Sequence, residues 1–323
     1  MDDCILIGPK GPFIDQFKLE FGRKFEIEDL GPVSWLLGCT VTRNREKRTL
    51  SIGQRQYALD ILNEFNMSDC ASIGTPLASS PPNVANGHVL IGNDKSKPYA
   101  KLVGKLMYLS NCTRPDLAAA TGHLSRYMSK PTLQHWTMAK KVLRYLKGTY
   151  DLELNFSGDI SFHPQFWQGS SYGDCELRRS RTGFVGMMCG GAFVWGVRVQ
   201  PSTALSTTEA EYMALSMAAT ECCWVRYLLE SINVVLADPV TMYEDNRSCI
   251  HLANNSVTSS KSKHIDIRYH FVRDLIARGV LTVVWCSTKD MIADALTKFS
   301  LSSDLLSVQR ERMMSGSYSG PGR

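Results

Sequence analysis

Three acids stand at the ends of separate predicted elements: Glu211, Asp245 and Asp294. Glu211 lies in Ser206-Thr207-Thr208-Glu209-Ala210-Glu211-Tyr212, which reads as a helix opening. Ser206 can cap it, and Glu209 three residues on can bond back to the cap amide. Leu215, Ala218, Cys222, Val225 and Leu229 follow Glu211 at helical spacing and are all apolar, so Glu211 begins a stripe that faces a core. Read alone, Glu211 is equally an acid in a first helical turn, where the helix dipole favours it. Asp245 closes a short strand at 240–245, followed by Asn246-Arg247-Ser248 and a short helix. Asp294 sits in 291–296, after a strand at 281–286 and a Ser287-Thr288 cap. Carboxylates converging from three elements repel one another and hold protons. A divalent cation removes that cost, and oxygen ligands select magnesium or manganese.

Longer strings surround these acids. Ser206 to Tyr212, Lys263-His264-Ile265-Asp266-Ile267-Arg268-Tyr269-His270 and Ala293-Asp294-Ala295-Leu296-Thr297-Lys298 resemble the ribonuclease H domain of copia-type retrotransposon polyproteins. Thr113-Arg114-Pro115-Asp116-Leu117 and Arg144-Tyr145-Leu146-Lys147-Gly148-Thr149 are similar to the connection that precedes it in that family. The resemblance covers nearly the whole chain, in order. It implies an α/β fold: a ribonuclease H-like mixed sheet with flanking helices, after a truncated reverse-transcriptase palm and thumb. The implied activity is two-metal cleavage of the RNA strand of an RNA–DNA hybrid, with Glu211, Asp245 and Asp294 as catalytic metal ligands. At the start, Asp2 and Asp3 before an apolar strand resemble the Tyr-x-Asp-Asp hairpin of reverse transcriptases, entered part-way. As read, that front part is a remnant that does not polymerise by itself.

The resemblance breaks at the first acid. The family pattern there is aromatic-x-Asp-x-Asp, then Gly-Asp and Arg-Arg-Ser-x-x-Gly-aromatic. Gly173-Asp174 and Arg178-Arg179-Ser180-Arg181-Thr182-Gly183-Phe184 keep the later part. Counting back without a gap puts Gln168 at the first-acid position and Ser170 at its neighbour. A slipped alignment would make Asp174 the ligand instead. Glutamine offers a carbonyl oxygen but no charge, and losing one member of a catalytic unit costs roughly 10³ to 10⁶ in rate. The nuclease is therefore expected to be impaired. The alternatives are a non-catalytic module that binds hybrid or duplex, and a decayed element. After the hairpin, Val194 to Gln200 keeps the Trp and Gln of the pattern but not its usual Ser and Lys. His264, Arg268 and His270 match the family string without an assigned role.

The elements that must position these residues follow from periodicity. Residues 13–25 read as a helix whose Phe13, Phe17, Phe21 and Phe25 form a core stripe. A hairpin spans 35–52 across a charged turn, and 54–65 is helical. Residues 76–98, rich in Pro, Gly, Ser and Asn, read as a linker. A helical connection at 99–150 follows, whose last helix carries Lys140, Lys141, Arg144 and Lys147, a face that could track phosphates. Together with Arg178 and Arg179 these are the candidate nucleic-acid contacts. The ribonuclease H-like domain is expected at 151–311, with one or two strands in 154–167 and a hairpin closed by Gly190-Gly191. A Gly/Ser-rich tail at 312–323 is expected to be disordered.

Composition sets the outer limits. The 323 residues allow two domains, and 44% hydrophobic content supplies their cores. A net charge of +5 is compatible with a nucleic-acid partner. Ten cysteines without Cys-x-x-Cys or zinc spacing suggest a reducing, intracellular setting, cytoplasm or nucleus. No apolar run approaches a membrane span.

Overall fold

The computed structural model describes residues 4–8, 11–77, 96–255, 266–299 and 301–321. Asp2, Asp3, His264 and residues 78–95 of the expected linker lie outside them. The chain runs through α1 (Pro12–Gly22), β1 (Trp35–Leu36), β2 (Cys39–Asn44), β3 (Thr49–Gly53) and α2 (Arg55–Glu64). The helical connection follows as α3 (Tyr99–Cys112), α4 (Ala118–Ser125) and α5 (Leu133–Lys147). Thr132 caps α5: its hydroxyl accepts from the His135 amide while the His135 ring accepts from the Thr132 amide.

The next strand, β4 (Glu153–Ser157), lies within the stretch expected to open the ribonuclease H-like domain. It pairs antiparallel with β3, Leu154 opposite Ile52, and completes a sheet in the order β1-β2-β3-β4. Buried Leu154 joins the core of the helical connection, and Ser51 Oγ bonds Asn155 Oδ1 at 2.6 Å. Residues 153–157 therefore belong with the N-terminal strands.

The second sheet contains β5 (Gln165–Ser171), β6 (Arg181–Met188), β7 (Gly191–Val199), β8 (Val240–Glu244) and β9 (Leu281–Trp285), in the order β7-β6-β5-β8-β9. Strands β5, β6 and β7 are mutually antiparallel, while β8 runs parallel to β5 and β9 parallel to β8. This mixed sheet has the strand order of the ribonuclease H fold. Its hairpin turns through Cys189 and Gly190, both left-handed at φ 52° and 77°. Gly190 is required there twice over, because a Cβ would stand 2.6 Å from the Gly316 backbone.

The remaining helices cover both faces: α6 (Thr207–Ser231), α7 (Arg247–Asn254), α8 (Asp266–Ala277), α9 (Asp294–Thr297) and α10 (Ser303–Met314). Strand alternation divides the side chains. Phe166, Phe184, Met242 and Val283 meet Leu215, Cys222 and Val225 of α6 and Val272 of α8. On the other face Trp167, Val185 and Met187 join one core with Leu296, Met313 and the helical connection. Residues 312–321 of the expected tail pack against the fold rather than running free. Met313 and Met314 are buried, Asn155 Nδ2 donates to the Met314 carbonyl at 2.9 Å, and the Tyr318 ring lies 5.6 Å from that of Trp167. Apolar side chains with a core to enter overrule a Gly/Ser-rich composition.

The aromatic stripe of α1 is not core. No residue of α1 is buried, and Phe13 and Phe25 are 74% and 57% exposed. The rings instead stack along the helix, Phe17 on Phe21 at 5.7 Å and Phe21 on Phe25 at 4.8 Å. Helical spacing makes a stripe; burial needs a second surface, and the described elements leave this one open.

Arg114 and Asp116 are both fully buried between α3 and α4. The guanidinium bonds the carboxylate through Nε at 2.9 Å and Nη2 at 2.7 Å, and also reaches the Thr149 carbonyl and hydroxyl. Tyr145 of α5 donates to Asp116, and Arg310 of α10 donates to Tyr145. Asp116→Asn leaves the guanidinium buried without its counter-charge, so a loss of about 3–5 kcal/mol is expected in urea unfolding. The double variant Arg114→Met/Asp116→Leu is expected to lose clearly less. A single variant within about 1 kcal/mol of the parent would remove the pair as a determinant of stability.

Candidate active site

Helix α6 delivers Glu211. Ser206 caps it, accepting from the Glu209 amide at 3.1 Å, and Glu209 reaches back to the amide of Leu205, one residue before the cap. Leu215, Ala218, Cys222, Val225 and Leu229 are all buried, so the stripe predicted from spacing faces the sheet. Glu211 begins that stripe beside the end of β5. Its Oε2 is shut off from solvent, has no hydrogen-bond partner, and lies 3.9 Å from where a Cβ on Gly169 would be.

The register of β5 places its side chains on the two faces of the sheet, and Ser170 is the β5 residue that bonds the Glu211 carboxyl. Trp167 stands opposite Tyr243 of β8, and Gln168 shares the α6 face with Phe166. Gln168 is fully buried and its Nε2 donates a short hydrogen bond to Oε2 of Glu244. Gln168 thus stands beside the end of β8. Asp174, the slipped alternative, is elsewhere: its Oδ2 pairs with Arg181 Nη1 at 3.1 Å, and Cys175 Sγ approaches its Oδ1. Arg181 is itself buried, bonds the Thr297 carbonyl and stacks 3.9 Å from the Phe299 ring centre. That anchoring keeps Asp174 engaged away from Glu211.

Glu244 is the acid that sequence reading passed over. It is fully buried, its Oε1 accepts from the Asn246 amide at 2.9 Å, and its Oε2 accepts from Gln168. The signal was present: Val240, Met242 and Glu244 alternate along β8, so Glu244 shares their buried face. Asp245, one residue on, leaves the strand half-exposed, and its Oδ2 accepts from Thr288 at 3.0 Å. Asp294 opens α9, is 5% exposed, and accepts from Lys298 at 2.7 Å.

Neighbouring acids act on one another's charge. Burial raises the Glu211 carboxyl well above its usual range, the charge of Glu244 raises it further, Asp245 adds to this, and Ser170 opposes them. Burial pushes Glu244 up to about 7, against the Asn246 amide and Gln168. Burial also raises Asp294; Lys298 opposes it and the charge of Asp245 adds to it. The charge of Asp245 thus acts on both Glu211 and Asp294.

The donors are all hard oxygens, the type that suits magnesium or manganese, and Ser170 is the neighbour that hydrogen-bonds the Glu211 carboxyl. In donor chemistry the set fits a divalent cation. In spacing, no three His, Cys, Asp or Glu side chains among the described residues are gathered closely enough to hold an ion.

The expected nucleic-acid contacts are split. Lys140, Lys141, Arg144 and Lys147 lie on α5, which rests on α2, α3 and α4 rather than on acid-bearing elements, and Arg144 donates to the Ala71 carbonyl. Arg178 is exposed and Arg179 half-exposed in the turn between β5 and β6. Arg268 is half-buried and His270 exposed on α8. Nearer the acids, Arg247 lies over the half-exposed Trp285 ring at 4.8 Å, and Trp285 is the β9 partner of Glu244. No described helix is long and apolar enough to cross a membrane.

Residues 1–79 match a family profile described as "Reverse transcriptase (RNA-dependent DNA polymerase)". The chain is 35% identical over 310 residues to the retrovirus-related Pol polyprotein from transposon TNT 1-94 of Nicotiana tabacum, covering 92% of this chain and 23% of that one. It is 32% identical over 300 residues to the Pol polyprotein from transposon RE2 of Arabidopsis thaliana, covering 92% and 20%. The chain thus spans about a fifth of the length of these curated relatives. Among solved structures, the N-terminal RNase H domain of a Mycobacterium tuberculosis protein superposes with a TM-score of 0.33 at 11% identity, over 47% of this chain and 98% of that one.

With metal chelated, stability should fall as pH rises from roughly 4.5, the unfolded carboxyl value, to about 7, the folded value of Glu244. Over that window the folded state binds the extra proton, so raising the pH favours unfolding. Glu244→Gln should flatten this slope in a pH series of urea melts. A slope the substitution leaves untouched would remove Glu244 as its source.

Proposed function

This chain belongs to the copia-type retrotransposon Pol polyproteins, and on that premise we propose that its second sheet is an RNA–DNA hybrid ribonuclease domain with impaired turnover. What supports the reading is the family membership together with Glu211, Asp245 and Asp294 standing on three separate elements, the charge of Asp245 acting on each of the other two. Glu211, Asp245 and Asp294 would hold magnesium or manganese, which would supply the Lewis acidity that phosphodiester hydrolysis needs.

The protein's own part is to hold oxygens ready. Glu211 Oε2 waits buried and unpaired at the sheet. Thr288 orients Asp245, and Lys298 holds Asp294 at 2.7 Å. Burial of these acids supports a strong local field, because charges interact more strongly where water is scarce. Gln168 is the weak point. Its amide stands where the family pattern has a carboxylate, and it brings an oxygen without a charge.

The partner chemistry is nucleic acid. Exposed Arg178 can meet phosphate, and the Arg247–Trp285 stack beside β8 offers a flat, cationic surface to a sugar or base. A second reading is favoured by the neutral Gln168 itself: a module that binds hybrid without cutting it.

A labelled RNA–DNA hybrid in magnesium separates the two readings. We expect cleavage by the unmodified chain to lie roughly 10³-fold or more below that of the double variant Gln168→Asp/Glu244→Gln. The second change is included because a carboxylate introduced at position 168 would otherwise confront that of Glu244. Glu211→Gln should remove what activity remains. Robust cleavage by the unmodified chain overturns the impairment. Tight binding that weakens linearly in log salt, with no cutting by either protein, selects the binding module.

A further inference from the structure

Cys39 opens β2 and Cys112 closes α3, and their thiols share a hydrogen bond. The contact is built by the turn before β2 and by one turn of α3. Leu37 and Gly38 both take left-handed backbone, at φ 46° and 73°, and reverse the chain from β1 into Cys39. Tyr108 of α3 lays its hydroxyl on that turn. It donates to the Leu37 carbonyl, and a Cβ on Gly38 would stand 3.1 Å from its oxygen. Cys112 follows Tyr108 by four residues, so the two share one side of α3, and Cys112 hydrogen-bonds the Tyr108 hydroxyl. The end of α3 is itself held, because Thr113 donates to Gln54, the residue before α2, at 2.9 Å.

A buried free cysteine is ordinarily a small apolar filler. Here each sulfur meets another sulfur from a different element, and the two differ in access. Cys39 is 8% exposed, while Cys112 is half-buried. Burial pushes the Cys39 thiol up to about 11, with Cys112 adding to it. Cys39 is therefore a poor first target for an oxidant and a well-placed second reactant.

We propose that Cys39 and Cys112 form a reversible disulfide site, closed by a peroxide and reopened by a dithiol, that ties the first sheet to the helical connection. The site is independent of the ribonuclease reading. The Cys112 thiolate attacks one peroxide oxygen. An S–O bond forms, the O–O bond breaks, and the departing hydroxide takes a proton and leaves as water. The Cys39 sulfur then attacks the Cys112 sulfur. The S–S bond forms, the S–O bond breaks, and the second water leaves with the Cys39 proton. Two thiols and one hydrogen peroxide thus give one disulfide and two waters. A dithiol reverses the step by exchange and is itself oxidised to a disulfide. In reducing surroundings the pair rests as two thiols. Once closed, the bridge spans a loop that contains β3 and α2, and so restricts the unfolded chain.

The test uses the full chain, reduced, freed of reductant, and treated with hydrogen peroxide. It is then alkylated and digested without reduction. Peptide masses are expected to show a species joining Cys39 to Cys112, which dithiothreitol returns to two thiol peptides. The urea midpoint is expected to rise on oxidation and to fall back on reduction. Cys112→Ser and Cys39→Ala should each lose both the linked species and the rise, while Cys70→Ser keeps both.

The mass map of the unmodified chain decides the matter even where a variant folds poorly. Oxidation of Cys112 to a sulfinic acid beside an unreacted Cys39 overturns the proposal. So does a bridge from Cys112 to any other cysteine, or a Cys39–Cys112 bridge that forms only in unfolding urea. Survival of both thiols under peroxide that oxidises the exposed Cys4 overturns it equally. None of these readouts involves hybrid cleavage, so the disulfide site and the ribonuclease reading stand or fall separately.

Discussion

The buried Arg114–Asp116 pair is the constraint on which the arrangement of the two sheets depends. Burial alone would raise the Asp116 carboxyl, but Arg114 outweighs it, with Tyr145 and Arg310 assisting, and holds the acid below its usual range. The hydrogen bonds of this cluster join different parts of the chain: the turn after α3, the end of α5 at Thr149, and α10. Helix α10 also rests on β4 of the first sheet and β7 of the second. The pair thus lies where the helical connection, both sheets and the C-terminal helix share one core. Buried ion pairs add little stability over a well-fitted apolar substitute, but they penalise any arrangement that separates the partners.

The second sheet is then free to use its two faces differently. The face toward the helical connection carries Trp167, stacked 4.6 Å from Tyr243, and is apolar throughout its centre. The face toward α6 is apolar until the strand ends, where Gln168 and Glu244 replace hydrocarbon with polar groups. Glu244 lies at that edge because β8, parallel to β5, ends there beside Gln168. Parallel neighbours bring their carboxyl ends to one side of a sheet, which is the usual place for ligand chemistry in such folds. The same geometry creates the electrostatic problem: Glu211, Glu244 and Asp294 are all raised by burial. Placing an amide rather than another carboxylate at 168 relieves part of that repulsion, and it leaves less negative charge near any bound cation.

Local pattern is what the sequence displayed well. The α6 stripe from Glu211 to Leu229, the capping role of Ser206 and the hairpin around residue 190 all depend on neighbours within a few positions, and all are found in place. The acids could be singled out for the same reason, since each sits at a readable element end. The α1 stripe shows the limit of such reading. Spacing put four phenylalanines on one side of a helix, but nothing local specifies what that side meets.

By itself, then, the sequence determined most of the elements and the family, because helical period, strand alternation and long motif strings are carried by short-range order. Tertiary structure alone decided that β4 pairs with β3, that the Gly/Ser-rich end is held by Asn155 and Trp167, and that Asp174 answers to Arg181 rather than to Glu211. It also decided that Gln168 and Glu244, 76 positions apart, share a hydrogen bond. Those outcomes depend on strand register and on which surfaces meet. Both are set by the total burial of apolar area over the whole chain, a quantity that no window of neighbouring residues contains.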